Sequence, residues 1–337
     1  MTLLRLSPRA LSRSRFALSP LAETLGAMRV LVNPCRDPWV ASWHARHAPA
    51  FRARVAADRF TSGLVRLLTT TGWLPDFVTT PPPGGMRTTM AEELTLAARF
   101  SDAEFRAQLE ASDHHAKAPS GLDWLSHASA GGDWAARGAE LISALWHDHV
   151  LPDWPRRRSL LEREVTYRAG LVAVYGWSNA LGTMSRRSAW VGNDAIRFSN
   201  RPLPDRIVGA EGMLFVPVTL TRGTWLCETP PDTFALVYPA RGVAERSEAP
   251  APDRVRALER LLGAIRARIL LELARPATTT ELATLLEISL GTAGGHIAVL
   301  REAGLIEGTR VGRRVVYRRT DDGDRLAGTA AINDRRP

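Results

Sequence analysis

Residues 278–320, TTTELATLLEISLGTAGGHIAVLREAGLIEGTRVGRRVVYRRT, decide the fold of the C-terminal part of this chain. Thr278 and Glu281 have the spacing of a capping box, in which each side chain satisfies a backbone amide of the other's turn. Ser289 is a good N-cap for a second helix, and Gly304 suits the left-handed residue that ends it. The segment therefore predicts two short helices across a tight turn.

The apolar residues of this segment indicate which side of each helix is buried. In the first helix, an apolar face is formed by Leu282, Leu285 and Leu286. In the second, intervals of four and three place Ala293, Ile297 and Leu300 toward a core. The opposite face, which carries Thr292, Gly295 and His296, is then free to meet a partner.

From Leu305 the pattern changes to an extended one, and a turn at 311–313 separates two short apolar runs. This predicted hairpin has no acidic residue between 308 and 320, and it carries Arg310, Arg313, Arg314, Arg318 and Arg319. Guanidinium groups suit phosphate contacts because they keep their charge and offer a fixed set of donors. The alternative is a solvated charged edge that only blocks strand pairing.

The same segment resembles the winged helix-turn-helix of the ArsR/SmtB family, over about residues 254–326. Residues 289–301 match the recognition helix of that family, and 300–320 match its wing. An apolar stripe in the two preceding helices consists of Val255, Leu258, Leu262, Ile265 and Ile269. The resemblance implies a transcriptional regulator, a repressor in most members, that binds double-stranded DNA as a homodimer. The residues it places against DNA are Ser289, Gly291, Thr292, Gly295, His296, Arg301, Arg310, Arg313, Arg314 and Arg318.

Two departures from the family pattern matter. Metal-sensing members carry a cysteine pair on the first helix, and the matching stretch here, 281–285, has none. Gly294 and Gly295 stand where a polar contact residue is common, at a cost of roughly 0.5 to 1 kcal/mol each relative to alanine. Either the backbone approaches DNA closely, with specificity carried by Thr292, His296 and the wing, or the helix binds DNA weakly.

Length, charge and cysteine spacing limit what the remaining chain can be. With 337 residues it is long enough for two domains. The net charge of +9 says little about binding, because all but one of the 44 basic residues are arginine, as in a GC-rich coding sequence. Cys35 and Cys227 have no metal or redox spacing and are expected to be buried thiols. No stretch has the length of a membrane span or the pattern of a signal peptide, so we expect a cytoplasmic protein without a membrane partner or a cofactor.

The first 243 residues are predicted to be helical and to end in a small antiparallel sheet. Ser19 and Pro20 start the clearest helix. The other predicted helices are 38–47, 60–68, 91–100, 102–111, 133–150 and 156–181, and the predicted strands fall in 190–198, 213–219, 224–227 and 234–238. The expected fold is mainly α with small antiparallel β-sheets. Its expected parts are an N-terminal domain (1–243), a linker (244–253), the winged helix (254–326) and a disordered tail (327–337).

The strings SRFALSPLAETL, GWLPDFVTTPP and LVYPARG resemble a subgroup of actinobacterial ArsR-like regulators with a long N-terminal domain of unassigned function. For this domain the resemblance implies no ligand and no chemistry. Subunit pairing or the sensing of a small-molecule effector are the roles we expect for it. Most of its tryptophans are expected in the core rather than around a pocket.

The N-terminal region contains no convincing catalytic motif. Residues 176–180, GWSNA, lack the last glycine of a nucleophile elbow and lie in a predicted helix, so we expect no enzyme. His44 with His47, and His147 with His149, lack further ligands at zinc spacing and are expected to be exposed or capping residues. Two alternatives stay open: a winged helix that docks on protein, and a regulator gated by metal or redox chemistry at His147, His149 or Cys227.

Overall fold

The computed structural model describes residues 2–33, 38–116, 121–126, 133–182, 189–192, 194–199, 204–221, 223–229, 233–240, 252–273, 276–311 and 314–327. They form two compact units. The N-terminal unit comprises Met1–Trp154 and Leu171–Ala244, and the C-terminal unit comprises Pro155–Gly170 and Glu245–Pro337. The predicted fold class, mainly α with small sheets, is confirmed. The predicted linker (244–253) and tail (327–337) fall almost entirely outside the described residues.

The N-terminal unit is built mainly of helices. They are α1 (Pro8–Arg13), α2 (Pro20–Val32), α3 (Pro38–Ala57), α4 (Arg59–Thr70), α5 (Met90–Ala97), α6 (Asp102–His114), α7 (Asp123–Ser126) and α8 (Trp134–Leu145). A π-helical turn, Trp146–Val150, continues α8. The long helix α9 (Trp154–Gly182) follows, with one non-helical residue at Gly176. All of the predicted helices are present, although several have different ends.

The helical core of this unit follows from caps and apolar spacing. Ser19 accepts a hydrogen bond from the Ala22 amide at 2.9 Å and starts α2, as predicted. Asp58 caps α4 in the same way through the Thr61 amide. The side chains that meet in this core include Leu25, Met28, Phe60, Leu64, Phe77, Phe105 and Trp146. Trp43 and Trp124 are also buried there, which agrees with the expected core role of the tryptophans.

Two four-stranded sheets complete the N-terminal unit, where one antiparallel sheet was predicted. One has the order β3 (Ala189–Val191), β4 (Ala195–Ser199), β1 (Thr2–Leu6), β5 (Arg206–Val208), and the other β2 (Arg15–Phe16), β6 (Met213–Val218), β8 (Thr233–Pro239), β7 (Trp225–Thr229). The pairs β1–β5, β2–β6 and β6–β8 are parallel. The prediction missed β1, β2 and β5, because parallel partners far apart in the chain leave no hairpin signal.

Strands β6 and β8 are buried on both faces. On one side Phe215, Leu236 and Tyr238 join a core with Leu4 and Leu6. On the other side Val216, Val218 and Val237 pack with Ala22 and Trp225. Burial on both faces explains why these two strands are nearly continuous apolar runs in the sequence.

The C-terminal unit contains the predicted entry helices, helix-turn-helix and hairpin in the predicted order, together with a short strand and a final helix that the sequence did not predict. They are α10 (Pro252–Leu262), α11 (Ala264–Glu272), β9 (Ala277–Thr278), α12 (Thr279–Leu286), α13 (Leu290–Glu302), β10 (Ile306–Val311), β11 (Arg314–Arg319) and α14 (Asp321–Ala327). The three strands form a sheet of order β10-β11-β9. Within the described ranges no single helix is long and apolar enough to cross a membrane; α12 and α13 meet that test only together, with a 114° bend between them.

Candidate nucleic-acid interface

The helix pair α12–α13 has the geometry of a helix-turn-helix. The predicted capping box starts α12. The Thr278 side chain accepts a hydrogen bond from the Glu281 amide, and the Glu281 side chain accepts one from the Thr278 amide. A three-residue turn, 287–289, separates the helices, and they cross at 114°. Glu287 makes the turn in the left-handed region at φ 57°, which no sequence signal announced.

Helix α13 buries the face that its spacing predicted. Ala293, Ile297 and Leu300 are all buried, while Thr292 and Gly295 are exposed on the opposite side. Ser289 caps the helix by accepting the Thr292 amide hydrogen bond at 3.0 Å. Gly304 follows the helix at φ +70°, the predicted left-handed stop. The outer face of α13 is therefore open to solvent.

The hairpin β10–β11 is the wing, and its register divides the arginines between two faces. Arg314 is paired with Val311, Arg318 with Glu307, and Arg310 with Val315. Since side chains alternate along a strand, Arg314 and Arg318 share one face, and Arg310 lies on the other. Arg318 also makes an ion pair with Glu307 at 2.7 Å.

One predicted feature of the wing is wrong. Arg319 was grouped with the phosphate-binding arginines, but its side chain is only 5% exposed and lies 3.0 Å from the Asp324 carboxylate. Burial lowers the pKa of the Arg319 guanidinium, and the Asp324 charge opposes that shift. Arg319 faces inward because it occupies the same strand face as the half-buried Tyr317 and is paired with the buried Ile306.

Eight of the remaining sequence-predicted site residues are exposed. His296 is half-buried, and Arg313 lies outside the described residues. The others are exposed: Ser289, Gly291, Thr292, Gly295, Arg301, Arg310, Arg314 and Arg318. The structure thus brings the outer face of α13 and the arginines of the wing into one domain.

Helix α14 ties the wing to the end of α13. Thr320 donates its hydroxyl to the Gly304 carbonyl at 2.7 Å and accepts from the Gly323 amide at 3.2 Å. A Cβ at Gly323 would stand 2.1 Å from the Leu305 carbonyl oxygen, so only glycine fits there. Leu326 packs on the core of the same unit. This contact was not predicted, because a polar tail gave no apolar pattern to follow.

Changing Gly323 to alanine is expected to destabilise the C-terminal unit by about 1 to 3 kcal/mol, because the added methyl group overlaps the backbone. All ten tryptophans lie between residues 39 and 225, outside this unit, so far-ultraviolet circular dichroism reports it and tryptophan fluorescence does not. Gly294→Ala is the control, since its Cβ would meet no atom within 4 Å. Equal denaturation curves for the two variants would contradict the packing described.

Part of α9 belongs to the C-terminal unit, which the sequence did not indicate. The Arg163 guanidinium donates to the Glu272 carbonyl at 2.6 Å, at the end of α11, and lies 3.4 Å from the Glu272 carboxylate. Ser159 and Glu162 line a groove of about 440 Å³ with the start of α12 and with β11. The helix-turn-helix is therefore braced by a segment far upstream in the chain.

The histidines of the N-terminal unit pair differently from the prediction. His147 bonds the Ser143 carbonyl at 2.7 Å, a local helical contact. His149 was expected to be exposed or capping, but it is 2% exposed, and its Nδ1 lies 3.1 Å from Nδ1 of His47. Arg54 and Asp148 form an ion pair beside them. In the described part of the chain, no three His, Cys, Asp or Glu side chains are placed to hold a metal ion.

Burial of His149 is expected to contribute a loss of stability to the N-terminal unit as pH falls below about 6.5, opposite in sign to the contribution of the buried Glu93 carboxyl group. Burial, followed by the His47 charge, lowers the pKa of His149, so the unfolded chain takes up a proton that the folded unit resists. Urea denaturation followed by tryptophan fluorescence at pH 5 and pH 7.5 measures this. His149→Gln should remove this contribution, so its stability relative to the unchanged protein should be higher at pH 5 than at pH 7.5, while His147→Gln should keep it; the same pH dependence in the His149 variant and the unchanged protein would rule the explanation out.

Two further residues named from the sequence are poorly placed for chemistry. Cys227 is buried in β7, and burial raises the pKa of its thiol, which disfavours the reactive thiolate. Ser178 is exposed on α9, two residues after the positive-φ Gly176, and not on a turn between a strand and a helix. The Trp177 ring instead packs between Phe16 and Phe215.

Comparison with known protein families gives one match, to a family described as "Helix-turn-helix domain", over residues 262–309. The matched residues run from the end of α10 into β10 and include α12, the turn and α13. Comparisons with curated proteins and with solved structures gave no match. Residues 262–309 of this chain are therefore similar to a helix-turn-helix domain, and the hairpin β10–β11, which starts within this range, has the place of a wing.

Proposed function

We propose that this protein is a sequence-specific DNA-binding transcriptional regulator, a repressor of the ArsR-like type without the cysteine metal site. The observation that carries the proposal is the exposure of the outer face of α13 in the same domain as Arg314 and Arg318 of the wing. A helix of this kind fits the major groove of B-DNA, and wing arginines fit the phosphates beside it.

The site residues divide into two roles under this proposal. Gly291, Thr292, Gly295 and His296 lie along α13 and face the base edges. Contacts to phosphates come from the end of that helix and from the wing, through Ser289, Arg301, Arg310, Arg313, Arg314 and Arg318. Phosphate contacts set affinity and position, while base contacts set the sequence preference.

We propose a homodimer whose subunits place two α13 helices in successive major grooves. Members of the resembled family dimerise partly through a final helix, but in this chain α14 packs inward through Leu326 and the buried Ala327, which supports a dimer interface in the N-terminal unit. Light scattering on the full chain at micromolar concentration measures the oligomeric state. A monomer that still protects a two-fold symmetric DNA site would count against this arrangement.

A small-molecule effector would fit a groove of about 400 Å³ in the N-terminal unit. Its walls combine arginines with apolar residues: Arg13, Arg15, Arg99, Leu96, Met213 and Phe234. Arg13 makes an ion pair with Glu211, so the charge available to a ligand comes from Arg15 and Arg99. The lining favours an organic anion with an apolar body.

A selection of duplexes from a random library by the full chain tests the function. A regulator should enrich one sequence, with two half-sites about one helical turn apart, and should shift the chain's own upstream intergenic DNA with or without a chelator. The alternative, docking on protein, is favoured by the exposure of Leu290 (57%) and Val299 (43%). Failure to retain any duplex at 50 mM salt would decide for that alternative.

A further inference from the structure

The outer face of α13 offers few hydrogen-bonding side chains. Thr292, Gly295, His296 and Val299 follow the spacing of one helical face, and Leu290 stands exposed at its first turn. Between Leu290 and Leu300 the sequence LGTAGGHIAVL contains no Arg, Lys, Asn, Gln, Asp or Glu. Those are the residue types that recognise guanine, adenine or cytosine through paired hydrogen bonds.

The hydroxyl on this face is already engaged. The Thr292 Oγ1 lies 2.7 Å from the Ser289 Oγ, which also accepts the Thr292 amide hydrogen bond. The Ser289 hydroxyl caps the helix, and the Thr292 hydroxyl is hydrogen-bonded to it. The γ-methyl group of Thr292 and the side chain of Val299, 43% exposed, are therefore the main contact groups of the face.

The glycines of α13 are not explained by packing within the domain. A Cβ at Gly294 or Gly295 would meet no atom within 4 Å, and alanine would favour the helix by roughly 0.5 to 1 kcal/mol. Glycine at these positions allows the close approach of another molecule to the helix. The arginines around the face, on the wing and at Arg301, identify a polyanion as that molecule.

We propose that α13 reads the C5-methyl groups of thymine, and so selects A·T-rich half-sites, through Thr292 and Val299 with Leu290 at the end of the face. The inference rests on the DNA-binding function proposed above. The base that presents a methyl group in the major groove is thymine, and its partners in recognition are apolar side chains and threonine methyl groups. The glycines let the helix sit deep enough for these short side chains to reach it.

The test compares duplexes selected by the full chain with the same duplexes carrying uracil for thymine, which deletes only the methyl group. Each contacted methyl group should be worth about fourfold in affinity, from about 0.8 kcal/mol per buried methyl-sized group. Thr292→Ser keeps the hydroxyl and removes the protein methyl group, so it should bind the thymine duplex about fourfold more weakly per half-site, or about fifteenfold for a dimer on two half-sites. At one thymine position in each half-site, replacement by uracil should no longer weaken the binding of this variant.

Val299→Ala is a second test variant. For this variant, uracil should no longer weaken binding at a different thymine position of the half-site. Thr95→Ser, on the exposed side of α5, is the matched control and should behave like the unchanged protein. Equal binding of thymine and uracil duplexes, or selected half-sites without thymine, would overturn methyl reading while DNA binding stands. No retention of any duplex at 50 mM salt would overturn both the inference and the proposed function.

Discussion

Replacing Arg310 and Arg314 together by alanine is expected to weaken DNA binding by more than tenfold and to flatten its salt dependence. Each lost phosphate contact lowers the slope of log K against log salt by about 0.9, which at 0.1 M salt is about eightfold in affinity. Both residues are exposed near the tip of the wing, on opposite faces of the hairpin. Two lost contacts per subunit would therefore approach a sixtyfold effect for each half-site, roughly the same for every sequence, and the proposed dimer loses them at both half-sites.

Single substitutions separate the contributions of charge and of each arginine to this effect. Arg314→Lys keeps the charge and should keep most of the slope, although it loses the planar donor set. Arg318→Ala should have a smaller effect than Arg314→Ala, because Glu307 already neutralises Arg318. Arg52→Ala, on the exposed side of α3, changes the net charge equally and is the control. Fluorescence anisotropy with a labelled duplex from 50 to 300 mM salt measures all four; an unchanged slope in the double variant would remove the wing from the interface.

Changing Glu93 to glutamine is expected to remove a pH dependence of about 5 kcal/mol from the stability of the N-terminal unit. Glu93 is fully buried in α5, where it bonds the Ser19 hydroxyl and accepts the Leu21 amide at 2.8 Å. Burial raises the pKa of Glu93 from 4.5 to about 8, against these hydrogen bonds. At about 1.4 kcal/mol per pKa unit, that rise corresponds to the stated figure.

The sign follows from which state binds the proton. Between pH 4.5 and pH 8 the unfolded chain releases the Glu93 proton and the folded unit keeps it, so stability falls as pH rises through this range. Urea denaturation followed by tryptophan fluorescence at pH 5 and pH 9 measures the change. Glu140→Gln, on the exposed side of α8, is the control. The same pH dependence in the Glu93 variant and the unchanged protein would contradict a protonated, buried carboxyl group.

The sequence suggested no ligand and no reaction for the N-terminal unit. This unit contains the groove lined by Arg15 and Arg99 and the pair formed by His47 and His149. The sequence did suggest histidines as switch residues, but it paired His147 with His149 through proximity in the chain. The structure pairs His149 with His47, 102 positions away. The π-helical turn, Trp146–Val150, places this ring inward, and no periodicity of apolar residues encodes such a turn.

Local signals determined much of this protein from the sequence by itself. Capping at Thr278 and Ser289, the left-handed stop at Gly304 and the buried face of α13 all depend on residues within a few positions of each other. Hydrogen bonds within a turn and the burial of one helical face have a fixed spacing along the chain. The helix-turn-helix and the hairpin of the wing could therefore be predicted.

Contacts between distant parts of the chain were decided by the tertiary structure. Glu93 bonds Ser19 across 74 positions, and Arg163 reaches Glu272 across 109. The inward orientation of the Arg319 side chain depends on strand register and on the position of Asp324. A sequence specifies such pairs only through the folded arrangement that brings them together, because the free energy of each contact depends on burial and distance rather than on spacing.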